Sequence, residues 1–432
     1  MLLSLILITS TCGMNTLMRS IKLFRPLMAL VISLSAMTSL AKSDELVIAT
    51  TFSPEATLAI VNSWNARPDA VPIRTINRTS ASLERLLDTE ALENVDLVLT
   101  SSPMLMRHLQ QHNRLGMLEG IPEYSQRLTP TILTDSVAAV AFSGYGILAN
   151  RKWMEQSQLA IPKTWDDLTD SQYQGMLLIS SPSRSDTYHL MIESLLQQRG
   201  WDEGWRILLS MSGNLATVSS RSFGVADKIK AGLGGAAPII DNYANILLAD
   251  PELEFHYLPD SATSPTFIAI TRYSLAPEKA RQFIDFLLSE QGQQIFAESS
   301  TGKYPVTPLV ENSPRKDQQS QLLNSPKPLD VQLVLKRQRL VQQLFDAAIT
   351  FRLTESKDAW RAVYMAEAKL KRQLPEVRRL LTAMPVSAKE SEDPAYYSRF
   401  EDNRKAEEEY MRWQRFFQEQ QRKAINALEA IK

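Results

Sequence analysis

Two serine- and arginine-rich loops carry the side chains of this sequence that are best suited to bind an anion. The first precedes a predicted helix over residues 188–198, and its sequence is Ser180-Ser181-Pro182-Ser183-Arg184-Ser185-Asp186-Thr187. The second, Ser219-Ser220-Arg221-Ser222, precedes a predicted helix that ends near Lys230. Free backbone N–H groups at a helix start attract an anion, and the hydroxyl and guanidinium groups add donors. Helix capping alone also explains these serines, but two such loops in one domain favour anion binding.

The sequence gives weaker evidence for a metal site or a catalytic site than for anion binding. His108 and His112 are four residues apart and could share one face of a helix. No glutamate follows His108 and no third ligand is evident, so we expect a solvated pair and no metal site. His189 and His256 lack an obvious nucleophile, and the chain has neither a G-x-S-x-G elbow nor a P-loop. We therefore expect a protein that is not an enzyme and that uses no cofactor.

The N-terminal segment has the layout of an export signal. It contains three basic residues, Arg19, Lys22 and Arg25. An apolar stretch over residues 27–37 follows, and Ser39-Leu40-Ala41 then offers small residues where signal peptidase cleaves. The stretch is shorter than the roughly 20 residues of a membrane span. We expect residues 1–41 to be removed together with the only cysteine, Cys12, which leaves a secreted, soluble chain without disulfides.

Short apolar runs alternate with helical stretches across residues 42–325, which predicts an α/β domain with largely parallel sheets. Strands are expected at residues 46–49, 71–76, 96–99, 176–179, 238–240 and 267–270. In such folds ligands bind at the carboxyl ends of strands, against helix N-termini. This rule predicts a site built from four loops, which are Thr51–Ser53, Thr100–Ser102, Ser180–Thr187 and Asp241–Tyr243.

The 432-residue chain divides by composition into an acidic domain and a mildly basic tail. Its formal net charge of −1 argues against a general nucleic-acid binder. All 15 glycines lie at or before Gly302. From Val331 onward apolar residues recur at helical spacing, beginning with a stripe of Val334, Val341, Leu344, Phe345, Ala348 and Ile349, and the pattern breaks at Pro375 and Pro385. Asp393-Pro394 is then expected to cap a long final helix. This pattern predicts an all-α extension over residues 326–432. The sequence leaves three interpretations open, which are a bundle packed on itself or on the preceding domain, a docking surface for a membrane sensor, and a dimerisation coiled coil.

Several segments are similar, in order and spacing, to the motifs of a known family. They are Thr164-Trp165-Asp166-Asp167-Leu168, Tyr173-Gln174-Gly175, the first serine loop, Leu288-Ser289-Glu290-Gln291-Gly292-Gln293 and Gly302-Lys303-Tyr304-Pro305-Val306. Over about residues 44–310 the chain resembles the class II periplasmic solute-binding proteins, in the branch for iron, phosphonates and thiamine. Together with the export signal and the helical tail, it is more closely similar to regulatory proteins of phosphoglycerate transport in enteric bacteria.

The resemblance implies a type II fold whose two α/β lobes close over a ligand in the periplasm. The matching positions imply a ligand site formed by Ser53, Ser101, Ser102, Tyr145, Ser183, Arg184, Ser185, Arg221, Ser222, Asp241 and Tyr243. Packing against the neighbouring glycines explains Tyr145 equally well. Iron-binding relatives have two adjacent tyrosines where this chain has Asp241-Asn242-Tyr243, which disfavours iron. A phosphorylated organic acid suits hydroxyl and arginine donors better.

The implied function is that of a periplasmic regulatory protein that senses a small phosphorylated organic acid, phosphoglycerate. It would act with a membrane signalling protein to induce the phosphoglycerate transporter. One alternative is a delivery component of an ATP-driven importer for iron or a phosphonate. Another is an adaptor whose lobes bind no solute and which acts through its helical tail. No nucleic-acid partner is expected.

Overall fold

The computed structural model describes residues 45–52, 54–88, 95–259, 261–298, 301–324 and 328–431. The described residues from Leu46 onward form one compact unit. The expected export signal, residues 1–41, lies outside the described residues. In the described part of the chain, no helix combines the length and the apolar character that a membrane span requires.

The described chain contains eleven strands and eighteen α-helices. The strands are β1 Leu46–Thr50, β2 Ile73–Asn77, β3 Leu97–Thr100, β4 Ala138–Ser143, β5 Tyr145–Asn150, β6 Leu177–Ser180, β7 Leu215–Ser219, β8 Ala236–Ile240, β9 Leu253–Tyr257, β10 Ser264–Ile270 and β11 Tyr304–Pro305. The helices up to the extension are α1 Pro54–Asn65, α2 Ser80–Asp88, α3 Pro103–Gln111, α4 Glu123–Gln126, α5 Arg151–Gln156, α6 Asp186–Arg199, α7 Trp201–Ser212, α8 Ser222–Lys230, α9 Asp241–Leu247, α10 Pro277–Leu288, α11 Glu290–Ala297 and α12 Lys316–Leu323. The helices of the extension are α13 Val331–Ala348, α14 Leu353–Leu370, α15 Pro375–Thr382, α16 Ala388–Glu392, α17 Pro394–Tyr397 and α18 Asn403–Ile431.

The described strands form two mixed sheets, each at the centre of an α/β lobe. The first sheet has the strand order β11-β4-β10-β3-β1-β2, and the second has the order β7-β6-β8-β5-β9. β1 is parallel to β2 and β3, and β6 is parallel to β7 and β8, as alternating strands and helices predict. The expectation of largely parallel sheets is wrong, because β10 is antiparallel to β3 and β4, and β5 is antiparallel to β8 and β9.

The described chain passes from one sheet to the other between β4 and β5 and again between β9 and β10. Gly144 alone separates Ser143, the last residue of β4, from Tyr145, the first residue of β5. Residues 258–263 return the chain from β9 to β10 in the first sheet. A strand that arrives from the other lobe has no crossover helix to set its direction. The predicted two lobes with crossing strands are confirmed.

The helical extension packs on the second lobe. Val341 and Phe345 of α13 belong to the same buried cluster as Trp201 and Trp205 of α7. α13 contacts α6, and α15 contacts α7. The Trp201 indole also donates to the backbone oxygen of Val386, at 2.8 Å. The packing of the extension on the preceding domain agrees with one of the arrangements left open by the sequence.

The apolar stripe predicted for the start of the extension is buried as expected. It consists of Val334, Val341, Leu344, Phe345, Ala348 and Ile349. The predicted start of the last long helix at Asp393-Pro394 is wrong. Asp393 caps only α17, which has four residues, and α18 begins at Asn403. Asp402 accepts the backbone N–H groups of Arg404 and Lys405, which gives α18 its own N-terminal cap.

Candidate ligand-binding site

A cavity of about 340 Å³ lies where the two lobes face each other. Segments that follow β1, β2 and β3 form its first-lobe wall, and segments that follow β6, β7 and β8 form its second-lobe wall. Carboxyl ends of strands from both sheets therefore meet at one place. The wall contains eight of the predicted site residues, which are Ser101, Ser102, Ser183, Arg184, Ser185, Arg221, Ser222 and Tyr243.

The structure brings the two serine- and arginine-rich loops together. Ser185 is the N-cap of α6, where its hydroxyl accepts the backbone N–H of Tyr188 at 3.4 Å. The same oxygen lies 2.7 Å from the Ser222 hydroxyl, at the start of α8. Arg221 precedes α8 and makes no side-chain cap to it. The starts of α6 and α8 are thus joined side by side on the cavity wall, and both point positive helix ends toward it.

Hydroxyl groups also line the first-lobe wall. The Thr51 and Thr100 hydroxyls lie 2.9 Å apart. Ser102 is the N-cap of α3, with its oxygen accepting the Leu105 N–H at 3.1 Å. An N-cap serine uses an acceptor lone pair in this bond, so its O–H remains able to donate to a ligand. Ser53 lies outside the described residues.

Four cationic side chains reach this cavity from both lobes. Arg78 and Lys303 belong to the first lobe, and Arg184 and Arg221 belong to the second. Asp186 is the only acidic residue among the described residues that line the cavity. The cavity is therefore positive, although the domain as a whole is acidic. Positive charge from both lobes and helix starts on both walls are the features that a bound anion requires.

Lys303 is the cation with the most unusual surroundings. Lys303 is only 3 % exposed to solvent, and its ammonium group lies 4.5 Å from the centre of the Phe52 ring. Burial lowers the pKa of Lys303 to about 8, because a charged ammonium loses solvation there. Gly302, with φ +66°, makes the turn, and a Cβ at this position would lie 2.1 Å from the Asn242 carbonyl oxygen. This close approach of the two lobes holds the lysine at the cavity.

Two of the predicted site residues, Tyr145 and Asp241, are not among the residues that form the cavity wall. Both are buried at the crossover between the lobes. The Asp241 carboxylate accepts the Gly144 N–H at 2.8 Å and the Tyr257 hydroxyl at 3.0 Å. Tyr257 in turn lies 3.0 Å from the Tyr304 hydroxyl of the first lobe. Asp241 thus joins the lobes, and Tyr145 borders a separate cavity of about 460 Å³.

Burial also sets the charge states of the acidic groups near the cavity. It raises the pKa of Asp241 to about 6, against the lowering effect of the Gly144 N–H and the positive Lys303. It raises the pKa of Tyr243 to about 12, so the phenol on the wall keeps its proton at neutral pH. Tyr243 therefore offers a neutral hydroxyl to a ligand.

The helical extension contacts the cavity loop directly. The Ser183 hydroxyl donates to one carboxylate oxygen of Asp346 in α13 at 2.6 Å, and the Ser181 hydroxyl donates to the other at 2.8 Å. Two turns into α6, Glu193 forms a buried ion pair with Arg337 of α13 at 2.8 Å, and both side chains are nearly inaccessible to solvent. The extension is thus bonded to both the loop and the helix that form one cavity wall.

Sequence reasoning missed Arg78 and Lys303. Arg78 follows the carboxyl end of β2, where the rule that selected the other loops also applies. The signal was present in Arg78-Thr79-Ser80, which precedes α2. Lys303 precedes a strand, so the rule that selects loops at the carboxyl ends of strands does not apply to it. Only the pairing of β11 with β4 brings it to the cavity.

The sequence of this chain is similar to a known protein family and to curated bacterial proteins. The family described as bacterial extracellular solute-binding protein matches residues 93–327. The phosphoglycerate transport regulatory protein PgtC of Salmonella typhimurium is 56% identical over 392 residues, which cover 91% of this chain and 98% of that protein. The PgtC protein of Salmonella typhi matches with the same identity and coverage.

Solved structures of periplasmic binding proteins share the fold of the lobes. A substrate-binding protein of an ABC transporter from Agrobacterium tumefaciens superposes with a TM-score of 0.56 and 17% identity, over 66% of this chain and 86% of that chain. The periplasmic binding protein AfuA of Actinobacillus pleuropneumoniae, with fructose-6-phosphate bound, gives 0.54 and 16% identity, over 65% and 96%. The similarity covers about two thirds of this chain.

Proposed function

The chain belongs to the bacterial extracellular solute-binding protein family, and we propose that it binds a small phosphorylated organic acid in the periplasm and regulates transport of that acid. The proposed ligand is phosphoglycerate, and the proposed partner is a membrane signalling protein. Binding residues are Ser101, Ser102, Ser183, Arg184, Ser185, Arg221, Ser222 and Tyr243, together with Arg78 and Lys303.

The observation that carries this proposal is the positive cavity between the lobes. Arginine and lysine from both lobes surround a space of about 340 Å³, which suits a small ligand. Phosphate oxygens accept several charge-assisted hydrogen bonds at once, and arginine binds them bidentately. Because donors come from both lobes, a phosphate between them stabilises the closed arrangement of the lobes relative to an open one.

A phosphorylated acid fits this cavity better than ferric iron does. A hard metal ion requires several anionic oxygen ligands. Among the described wall residues, Asp186 supplies the one carboxylate and Tyr243 the one phenol, which is a small set of anionic ligands for such an ion. The name of the 56%-identical Salmonella relative refers to phosphoglycerate transport, which favours that ligand over a phosphonate.

The bonds between the extension and the cavity loop support a regulatory role. Ser183 lines the cavity, and its hydroxyl donates a hydrogen bond to Asp346 of the extension. A bound phosphate that accepts a hydrogen bond from the same hydroxyl competes with Asp346. Occupancy of the cavity therefore changes the contact between the loop and α13. A membrane partner that binds the extension would then detect the ligand.

Thermal-shift and calorimetric titrations of residues 42–432 test the proposal. The panel contains 2- and 3-phosphoglycerate, phosphoenolpyruvate, inorganic phosphate, an aminophosphonate and ferric citrate. A ligand that binds the folded state raises the melting temperature by mass action, and we expect a saturable rise with phosphoglycerate. A response to iron or an aminophosphonate alone would support the importer alternative, and no response to any compound would support the adaptor.

Two substitutions with a matched control test the residues. Arg221→Ala and Ser185→Ala should each weaken phosphoglycerate binding by roughly tenfold or more, since each removes a donor worth about 1.5–3 kcal/mol when its acceptor is charged. Ser289 is also an N-cap serine, at the start of α11 and away from the cavity. Ser289→Ala should reduce stability as Ser185→Ala does, but it should leave affinity unchanged. Unchanged affinity in both Arg221→Ala and Ser185→Ala would remove this cavity from consideration.

A further inference from the structure

A cluster of three metal-ligating side chains lies on the first lobe, outside the ligand cavity. Asp88 is the last residue of α2, His108 lies in α3, and His112 is the C-cap of α3. Each of the three offers a ligand atom, and these atoms all lie within 4.8 Å of one another. The sequence places the two histidines on one helical face but shows no third ligand. The third ligand is Asp88, which lies twenty positions before His108 in the sequence and is brought to it by the packing of α2 against α3.

The hydrogen bonds of the cluster show which ring nitrogens are already engaged. Nε2 of His108 lies 2.9 and 3.1 Å from the two carboxylate oxygens of Asp88. The two imidazole rings are 4.2 Å apart between centroids and tilted by 34°. Nδ1 of His112 donates to the backbone oxygen of His108 at 2.8 Å, which leaves Nε2 of His112 with its lone pair. Metal-binding histidines are commonly oriented in this way, through a bond from their other nitrogen to a carbonyl group.

A comparison within the same chain shows what distinguishes this cluster from an ordinary ion pair. His256 and Glu254 also form a close pair, with 2.6 Å between Nε2 and a carboxylate oxygen. Among the described residues, however, only the Asp88 cluster brings together three such groups. The Asp88 and His108 side chains keep 37% and 27% of their surface accessible, so an ion can reach them from solvent.

We propose that Asp88, His108 and His112 bind one zinc ion. Two imidazole nitrogens and one carboxylate oxygen form a ligand set that zinc accepts, with water in the fourth position. Calcium and magnesium prefer sites made entirely of oxygen ligands. The ion would join the C-terminal ends of α2 and α3, and the opposite ends of both helices border the ligand cavity at Ser80 and Ser102.

Zinc titration of the untagged, chelator-treated protein tests this proposal, with calorimetry and competition against a chromophoric chelator. We expect one zinc ion per chain. His108→Ala and His112→Ala should each weaken zinc binding at least tenfold, whereas the matched control His256→Ala should not change it. Asp88→Asn keeps a polar side chain beside His108 but removes the negative ligand, and it should weaken zinc binding as well. X-ray absorption of the zinc-loaded protein should show two imidazole ligands.

The controls separate a specific site from nonspecific binding. Circular dichroism of each variant checks that the fold is retained, and affinity for 3-phosphoglycerate should persist in His112→Ala. Absence of zinc binding to the unmodified, chelator-treated protein would overturn the proposal, as would equal zinc affinity of this protein and the His112→Ala variant. Because these readouts use zinc alone, the proposal can fail while the proposed phosphate site stands, and the reverse also holds.

Discussion

Replacement of Lys303 by methionine is expected to separate ligand affinity from folding stability. Burial lowers the pKa of this lysine from 10.5 to about 8, and 1.36 kcal/mol per pKa unit makes its charged form about 3 kcal/mol less favourable than in water. Lys303→Met removes this unfavourable charge and keeps the length of the side chain. We therefore expect the variant to be at least as stable as the unmodified protein at pH 7, but to bind phosphoglycerate roughly ten- to a hundredfold more weakly.

The same lysine predicts the pH dependence of binding. A depressed pKa means that the free protein loses the Lys303 proton as pH rises through about 8, whereas the bound anion needs the charged form. Phosphate esters have their second pKa near 6, so the ligand charge stays constant above pH 7. Kd should therefore rise at most about twofold from pH 7 to 8 and then increase toward the roughly ten- to hundredfold weaker binding expected for a neutral side chain at this position. At pH 8.5 binding should take up roughly one half to three quarters of a proton.

Calorimetry in buffers of different ionisation enthalpy measures both the affinity and the proton uptake. Lys303→Arg should remove the pH dependence, because arginine stays protonated throughout this range. Lys152→Met is the matched control, since Lys152 pairs with Glu252 at 2.8 Å on the exposed surface of the second lobe. Unchanged affinity in Lys303→Met, or a Kd that stays flat up to pH 9.5 in the unmodified protein, would refute this reasoning.

Two further predictions concern the bonds between the extension and the second lobe. Asp346→Ala should lower the free energy of unfolding by about 2 kcal/mol and speed amide hydrogen exchange near Ser183; unchanged exchange would contradict the proposed coupling. Arg337→Met leaves the Glu193 carboxylate buried without its partner, so denaturant unfolding should show a loss of about 3–5 kcal/mol. As a control, Arg361→Met breaks an exposed ion pair of the same extension and should change stability by less than about 1 kcal/mol. An equal loss of stability in Arg337→Met and Arg361→Met would contradict the stabilising role of the buried ion pair.

Local sequence patterns were sufficient to predict the α/β lobes, the helical extension and most of the loops at the candidate site. A run of apolar residues followed by serine, and then by a helix, shows where a strand ends and a helix begins. The carboxyl-end rule then selects the loop. This reasoning located Ser102, Ser185 and Ser222, because the signal for each lies within a few residues of its position. It missed β4 and β5, whose continuous apolar run around Gly144 has no alternating pattern.

Charge and burial at the site depended on segments that are distant in the chain. Asp241 follows a strand as the rule requires, but the crossover at Gly144 encloses it. Lys303 reaches the cavity from the last strand of the first sheet, and Asp346 reaches Ser183 across 163 positions. Hydrophobic periodicity specifies which face of an element is buried, but it does not specify the element that covers it. The sequence therefore established which local groups could bind an anion. The order of strands in each sheet and the packing of the extension on α6 and α7 decided which of those groups meet, and which of them lose contact with water.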